Sequence, residues 1–318
     1  MLLAQAGWEV HIVDNLCNSR RAVLDRLRAL APRAAIALHE LDIRDRAGLE
    51  KVMKKAPPAA VMHFAGLKAV AESVEKPMLY YDNNVGGSAA LLHAMRTCRV
   101  SRMVFSSSAT VYGEPDRLPL AEDHALRPAN PYGNSKLVIE YLLADEAAAD
   151  ASFRYAVLRY FNPVGAHPSG TLGEDPLGVP SNLFPYLAQV AVGRQSALRV
   201  WGRDYATRDG TGVRDYIHVM DLARGHLAAL SVLERKSITV NLGSGRGYSV
   251  LEAVAAFKRA SGRDIPVEFR RRRAGDVAEC YADPGLAARA LGWKAALDLD
   301  AMCRDAWRWQ SRNPQGYG

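Results

Sequence analysis

Short apolar runs alternate with helical stretches through the first half of the chain, and this alternation constrains the fold more than any other feature. Trp8 to Asp14 (WEVHIVD) reads as a strand closed by an acid, and Ala34 to Asp42 as a second of the same kind. Ala59 to His63, Arg102 to Ser106 and Phe153 to Tyr160 give three more strands. Helical patterns cover Arg20 to Leu30, about Met78 to Arg96, and Pro131 to Ala149, where Pro131 takes a first-turn position that tolerates the missing N–H. Strands separated by helices of this length need crossover connections, so the chain is predicted to be α/β with a doubly wound, Rossmann-type parallel sheet. After Asn162 glycine and proline crowd the stretch from Pro163 to Pro185, and later helices (Leu183 to Val192, Met220 to Leu233, Leu251 to Ala260) mix with short strands. The predicted organisation is a nucleotide-binding domain over 1–162 and a smaller mixed α/β C-terminal substrate domain over 163–318, some segments of which return to the first.

Composition excludes several classes. Hydrophobic residues make up 49% and charged residues 24%, enough apolar material for a substantial core. No apolar run approaches the roughly 20 residues that span a bilayer, so no membrane association is expected. Met1 to Val10 lacks a basic start and meets Glu9 early, a poor signal peptide. Cys17, Cys98, Cys280 and Cys303 have no metal-ligand or redox spacing, and read as reduced thiols of a cytoplasmic protein with no metal site. The net charge of +7 fits either an arginine-rich solvated surface or an anionic, phosphorylated substrate. Nucleic acid is not expected, because no motif of a nucleic-acid-binding fold is present.

Two segments carry candidate chemistry. In Tyr132-Gly133-Asn134-Ser135-Lys136 the phenol and the ammonium stand four apart and share one helix face. A phenol, with an ordinary pKa of about 10, is a poor base at neutral pH unless a nearby cation stabilises the phenolate. Such pairs also occur on solvated helix faces. Ser106-Ser107-Ser108-Ala109-Thr110-Val111-Tyr112-Gly113 follows an apolar strand, where a parallel sheet presents ligands to the carboxyl ends of its strands. Alone it reads equally as a turn that caps a helix.

Together these segments resemble the catalytic Ser/Thr and Tyr-x-x-x-Lys of the extended short-chain dehydrogenase/reductase superfamily. Asp14 to Ser19 (DNLCNS), His63 to Val70 (HFAGLKAV), Tyr160 to His167 (YFNPVGAH) and Gly212 to Val219 (GVRDYIHV) narrow the resemblance to the UDP-glucose 4-epimerase family, over essentially the whole chain. The resemblance implies an isomerase of galactose metabolism. Tyr132 would take the proton of the sugar 4-hydroxyl, Ser108 would hydrogen-bond the same oxygen, and Lys136 would hold the nicotinamide ribose and lower the tyrosine pKa. The C4 hydride would pass to tightly bound NAD, giving a 4-keto sugar that receives it back on the other face.

Further positions follow from the same resemblance. Asp14, with Asn15, Asn18 and Ser19, would meet the adenosine ribose of NAD, although a turn acid reads equally well for Asp14. Asp42 and Ile43 would contact adenine. Phe64, Ala65, Gly66, Lys68 and Asn83 would contact the cofactor's phosphates and ribose, with Phe161 beside them. His63 is expected to be structural. Asn162, Asn182, Leu183 and Tyr216 would touch the UDP-hexose, Arg199 to Trp201 would lie beside uracil, and Asp276 would accept from the uridine ribose. Arg214 and Arg273 would clamp the pyrophosphate with paired guanidinium hydrogen bonds. A homodimer is implied, through the Met78 to Arg96 and Pro131 to Ala149 helices.

Three departures from or within the family pattern matter. The family's Gly-x-x-Gly-x-x-Gly turn would fall before Met1, so the chain as written is expected to bind NAD poorly and to lack a central strand; a truncated, non-catalytic homologue is the alternative. Related dehydratases place an acidic pair after the catalytic hydroxyl, where Ala109-Thr110 stand here. Cys280 occupies the position where many members specific for plain hexoses carry tyrosine, which leaves room for an N-acetyl group and predicts activity on UDP-N-acetylglucosamine as well.

Overall fold

The computed structural model describes residues 1–178, 180–273 and 275–318. The first strands fall on the apolar runs: β1 (Val10–Asp14), β2 (Ile36–Glu40), β3 (Val61–His63), β4 (Arg102–Ser108) and β5 (Arg154–Tyr160). The remainder of the chain adds β6 (Asn162–Val164), β7 (Leu198–Trp201), β8 (Val213–His218), β9 (Ile238–Leu242), β10 (Gly247–Ser249), β11 (Val267–Arg270) and β12 (Glu279–Cys280). β2 stops before the expected Asp42, because that carboxylate caps the following turn by accepting from Arg44 N at 2.9 Å. β4 runs past the expected Ser106, since Ser107 and Ser108 still pair with Arg159 and Tyr160 of β5.

Every pairing in the first half is parallel. β1 lies on β2, and β3, β4, β5 and β9 follow in that order. Among the described residues the second edges of β1 and β3 have no strand partner, so the doubly wound sheet stands as two parallel pieces. β4 is buried along nearly its whole length, which explains why it reads as a continuous apolar run rather than an alternating one. The smaller sheet centres on β8, which pairs antiparallel with β10 and parallel with β12 and β6. β7 pairs separately with β11.

The helix expected over Met78 to Arg96 is continuous from Pro77 to Thr97, but widens to π geometry over Tyr81–Gly86. Such bulges re-aim side chains, here Asn83 and Asn84. The Pro131–Ala149 helix forms as predicted, with Asn130 as its cap accepting from Gly133 N at 2.9 Å. One core joins Leu49, Met95, Phe105, Ile139 and Leu143 around the first sheet, and another joins Phe184, Leu187, Tyr216, Phe257 and Met302.

A buried polar network fastens the Pro131–Ala149 helix to the sheet. Arg159 on β5 donates to Glu140 on the helix from NH2 at 2.6 Å and from Nε at 3.1 and 3.2 Å. Ser107 on β4 donates to the same carboxylate at 2.5 Å. Arg159 also donates to the Tyr112 hydroxyl at 3.2 Å, which donates to Asn241 on β9 at 2.7 Å. Three strands, one helix and the loop after β4 therefore share one set of hydrogen bonds. Removing one partner of a buried pair strands the other charge, at a cost of about 3–5 kcal/mol. Arg159→Met is expected to lose stability on that scale in denaturant unfolding; a loss below about 1 kcal/mol, the worth of an exposed pair, would show the network to be incidental.

Candidate active site

The end of β4 and the first turns of the Pro131–Ala149 helix bring Ser108, Tyr132 and Lys136 together. Ser108 is buried, and its hydroxyl oxygen accepts from Thr110 N at 3.2 Å and from the Thr110 hydroxyl at 2.9 Å. Burial pushes the Tyr132 phenol well above its ordinary pKa, helped by the neighbouring Tyr160, while contact with the Ser108 hydroxyl pulls the other way. The Lys136 ammonium lies 6.0 Å from the Tyr132 ring centroid and donates to the Ser106 carbonyl at 3.0 Å. Burial lowers its pKa to about 8. In this structure burial, rather than the Lys136 charge, sets the direction of the tyrosine shift. The cation is committed to a carbonyl, and desolvation of the phenol dominates.

Asn84, which sequence reasoning passed over, organises this pocket from the π turn. It accepts from Leu67 N at 2.8 Å, donates to Leu67 O at 3.0 Å and donates to Ser135 at 3.0 Å. The Phe64 to Lys68 loop is thereby tied to the helix that carries Tyr132 and Lys136. Gly66 takes φ +157, and a Cβ there would stand 3.2 Å from Asn84 Oδ1 and 3.6 Å from Lys136 Nζ. Only glycine keeps that approach open. Phe64 is 57% exposed and lies 4.9 Å from the His226 ring, which in turn meets Tyr160. Ala65 is half-buried, and Lys68 pairs with Glu174 at 3.2 Å. Asn83 donates to Asn84 at 3.0 Å. His63 is buried against Ser88 at 2.7 Å, a structural setting.

Around the end of β1, Asp14 Oδ1 accepts from Leu16 N at 2.7 Å and from Ser19 Oγ at 3.0 Å. This holds Leu16 in the left-handed region at φ 57, a strained setting that commonly marks functional sites. Asp14 is thus a turn acid, while its Oδ2 has no partner among the described residues. Asn15 donates to Asp42 at 2.9 Å, and Arg44 supplies three further bonds that hold the Asp42 carboxyl far below the usual range. Asn18 is exposed beside them, and Ile43 packs over Gly87. Phe161 packs into the cluster of Ala109, Val111, Leu137 and Ala282. Tyr160, its neighbour in the chain, is the residue that reaches Tyr132.

The substrate-side residues gather around β8 and β12. Arg214 stands opposite Cys280 in register and donates to Val213 O at 2.9 Å. Cys280 packs against the cluster that holds Ala109 and Phe161, one residue from Ser108, and burial raises its thiol pKa to about 11. Buried Asp215, a second missed residue, accepts from Ser244 N at 2.8 Å, Gly245 N at 3.0 Å and Ala282 N at 3.2 Å, fixing the chain just after Cys280. Arg273 lies over the Trp201 ring at 4.6 Å, with Asp276 exposed just beyond and Arg199 exposed on β7. Asn162 and Asn182 are exposed at the starts of β6 and of the Leu183–Ala191 helix. Leu183, half-buried, and Tyr216, buried, border the second core. Leu183 packs against the second core, and Tyr216 is buried edge-on to Phe184 at 5.1 Å.

Comparison with known proteins agrees with this geometry. The model of the family described as GDP-mannose 4,6 dehydratase matches residues 1–306. A UDP-glucose 4-epimerase of Bacillus subtilis is 51% identical over 317 residues, covering 99% of this chain and 93% of that protein. The crystal structure of UDP-glucose 4-epimerase from Bifidobacterium longum in complex with NAD+ and UDP superposes with a TM-score of 0.96 at 48% identity, covering 99% of this chain and 94% of that one. The UDP-Glc/GlcNAc 4-epimerase of Campylobacter jejuni gives 0.84 at 35% identity, covering 98% and 94%. With these relatives across its length, the chain belongs to the UDP-glucose 4-epimerase family.

Proposed function

We propose that the protein is an NAD-dependent isomerase that interconverts UDP-glucose and UDP-galactose at C4. The observation that carries this reading is the buried grouping of Ser108, Tyr132 and Lys136 at the carboxyl end of β4. A complete grouping also disfavours the non-catalytic alternative.

The residues present fit a dinucleotide. Asp14 keeps one carboxylate oxygen for ribose hydroxyls, Gly66 keeps its backbone open beside Lys136, and Phe64 offers an exposed ring. Bound NAD would supply the acceptor for the C4 hydride and, when oxidised, a positive charge in addition to that of Lys136. In our reading Asn15, Asn18, Ser19 and Ile43 line the adenosine end. Asp42 already accepts four hydrogen bonds from Arg44 and Asn15, so an adenine amino group shares that carboxylate with them. Lys68 and Asn83 stand nearer the phosphates. Burial keeps Tyr132 protonated in the ligand-free pocket; once it has lost that proton to solvent, its phenolate would take the proton of the 4-hydroxyl and return it to the same oxygen, which Ser108 steadies. Arg214 and Arg273 hold the diphosphate, Asp276 the uridine ribose and Trp201 with Arg199 the base, while Asn162 and Asn182 face the sugar.

Cys280 supports a second substrate pair. Its small side chain sits beside Phe161 in the wall nearest Ser108, and we read the space as room for an N-acetyl group at C2. The exposed Met78 (74%), Val74 (63%) and Tyr141 (56%) lie on mutually contacting helices and support a homodimer through that face. The four free cysteines suit a cytoplasmic setting, and no helix is long and apolar enough to cross a membrane.

Tyr132→Phe should lower epimerase turnover by at least about 100-fold, the usual worth of a general acid–base group; near-normal conversion of UDP-galactose would remove Tyr132 from the mechanism. Cys280→Tyr should suppress N-acetylated substrates while sparing plain ones, and an unchanged activity ratio would refute the size argument. A lysine whose pKa falls from 10.5 to about 8 on folding binds fewer protons folded than unfolded between those values. Stability from this group therefore rises from pH 8 to 10.5. The native protein should gain stability relative to Lys136→Met across that window, and a constant difference would contradict the buried setting.

A further inference from the structure

Glu174 and Asp175 are neighbours in the chain, yet each pairs with a different piece of the parallel sheet. Glu174 meets Lys68, at the end of the loop after β3, at 3.2 Å. Asp175 meets Arg20, at the end of the loop after β1, also at 3.2 Å. Consecutive Cα atoms lie only about 3.8 Å apart, so one dipeptide fastens the two loops to each other. Both loops follow the carboxyl ends of parallel strands, where an open sheet of this kind receives its ligand. The dipeptide is therefore a strap across that crevice.

The strap is anchored from behind by Trp309 and the segment that follows its helix. The Tyr317 hydroxyl donates to Gly173 O at 2.9 Å and accepts from Gly173 N at 3.0 Å. Tyr317 N donates to Asp175 Oδ2 at 3.1 Å, and Trp309 Nε1 donates to Glu174 O at 3.1 Å. A Cβ on Gly173 would stand 2.2 Å from the Trp309 ring, so glycine alone lets the strap seat there. Arg26, on the Ala22–Leu30 helix, lies over both rings, 5.9 Å from the centroid of Trp309 and 5.3 Å from that of Tyr317. The backbone of the strap is thus held by hydrogen bonds and rings, while its grip on the crevice loops is ionic. That grip is the weaker side, since the Arg20 and Lys68 side chains are 40% and 65% exposed.

We propose that Glu174 and Asp175 are positioning residues for the dinucleotide: through Lys68 and Arg20 they hold the two cofactor loops together over it and set the rate at which it leaves. The assignment rests on the NAD reading. An ammonium has three donors, so Lys68 serves a phosphate oxygen while it keeps Glu174.

The test follows release of NAD from the full chain after it has been loaded and then diluted into labelled NAD. Asp175→Asn and Glu174→Gln should each speed release about fivefold, the upper worth of one partly exposed ion pair. Tyr317→Phe, which alters no charge beside the crevice, should speed it as well by loosening Gly173. UDP affinity should stay as it is in all three. Raising the salt concentration should speed release from the native chain and leave the Glu174→Gln/Asp175→Asn double variant unaffected, because screening acts on the ion pairs alone; a loss of packing would give no such difference. Release rates equal to the native one would overturn the proposal. Slower release from Glu174→Gln would show that Glu174 competes with the cofactor for Lys68, and would overturn it too. Weakened UDP binding together with a lower melting temperature in the single variants would reduce the strap to a general structural element. If the native chain takes up no NAD, the NAD reading fails and the strap with it, whereas uptake with release indifferent to every substitution defeats the strap alone.

Discussion

An arginine and a glutamate taken into a protein interior both lose their hydration, and only near-ideal geometry with further hydrogen bonds offsets that loss. Arg159 and Glu140 meet the condition through Ser107, Tyr112 and Asn241. The arrangement fixes the Pro131–Ala149 helix in both height and rotation against β4 and β5. A helix held by apolar contacts alone could slide by fractions of a turn with little penalty, whereas a carboxylate gripped by a guanidinium and a hydroxyl cannot. Tyr132 and Lys136 lie two turns and one turn before Glu140 on that helix. The register of the ion pair is therefore the register of Tyr132 and Lys136, and Ser108 follows directly from Ser107 on the adjoining strand.

The pocket itself works by opposing burial against charge. Desolvation favours the neutral forms of both Tyr132 and Lys136. Neither partner compensates the other, since Lys136 spends a hydrogen bond on the Ser106 carbonyl. Such a site is poised rather than relaxed. Any cationic group that enters shifts the balance toward the phenolate, and any anionic group toward the ammonium. The Asn84 hydrogen bonds keep the walls from adjusting to relieve the imbalance.

Much of this was legible in the sequence. The parallel first half followed from apolar runs separated by helices, and the Tyr132–Lys136 pair from four-residue spacing within a helix whose cap and first-turn proline are local signals. The Leu299–Arg312 helix escaped notice because its surface is strongly polar. Its period shows only in Leu299, Met302, Cys303, Ala306 and Trp309, which turn inward. Asn84, Asp215 and Arg159 were missed for a different reason. Each acts through partners remote in sequence, and a polar residue inside an otherwise apolar element announces nothing until its neighbours are known. The wider winding over Tyr81–Gly86 also carries no composition signal.

β9 begins at Ile238 yet completes the sheet that carries Ser108, lying against β5 over Ala156 to Tyr160. It also supplies Asn241, whose amide donates to Leu120 O and whose backbone N–H donates to Glu122. The sheet that carries Ser108 is therefore not a module that closes on itself early. A chain emerging from the ribosome must hold β5 with one edge open until three-quarters of the residues have been made, and a pairing of such sequence separation is slow to form. For that interval Leu120 O and the Glu122 carboxylate lack the Asn241 partner that holds them in the finished fold. The same long-range strand that braces the finished site leaves an open strand edge until a late event in folding completes it.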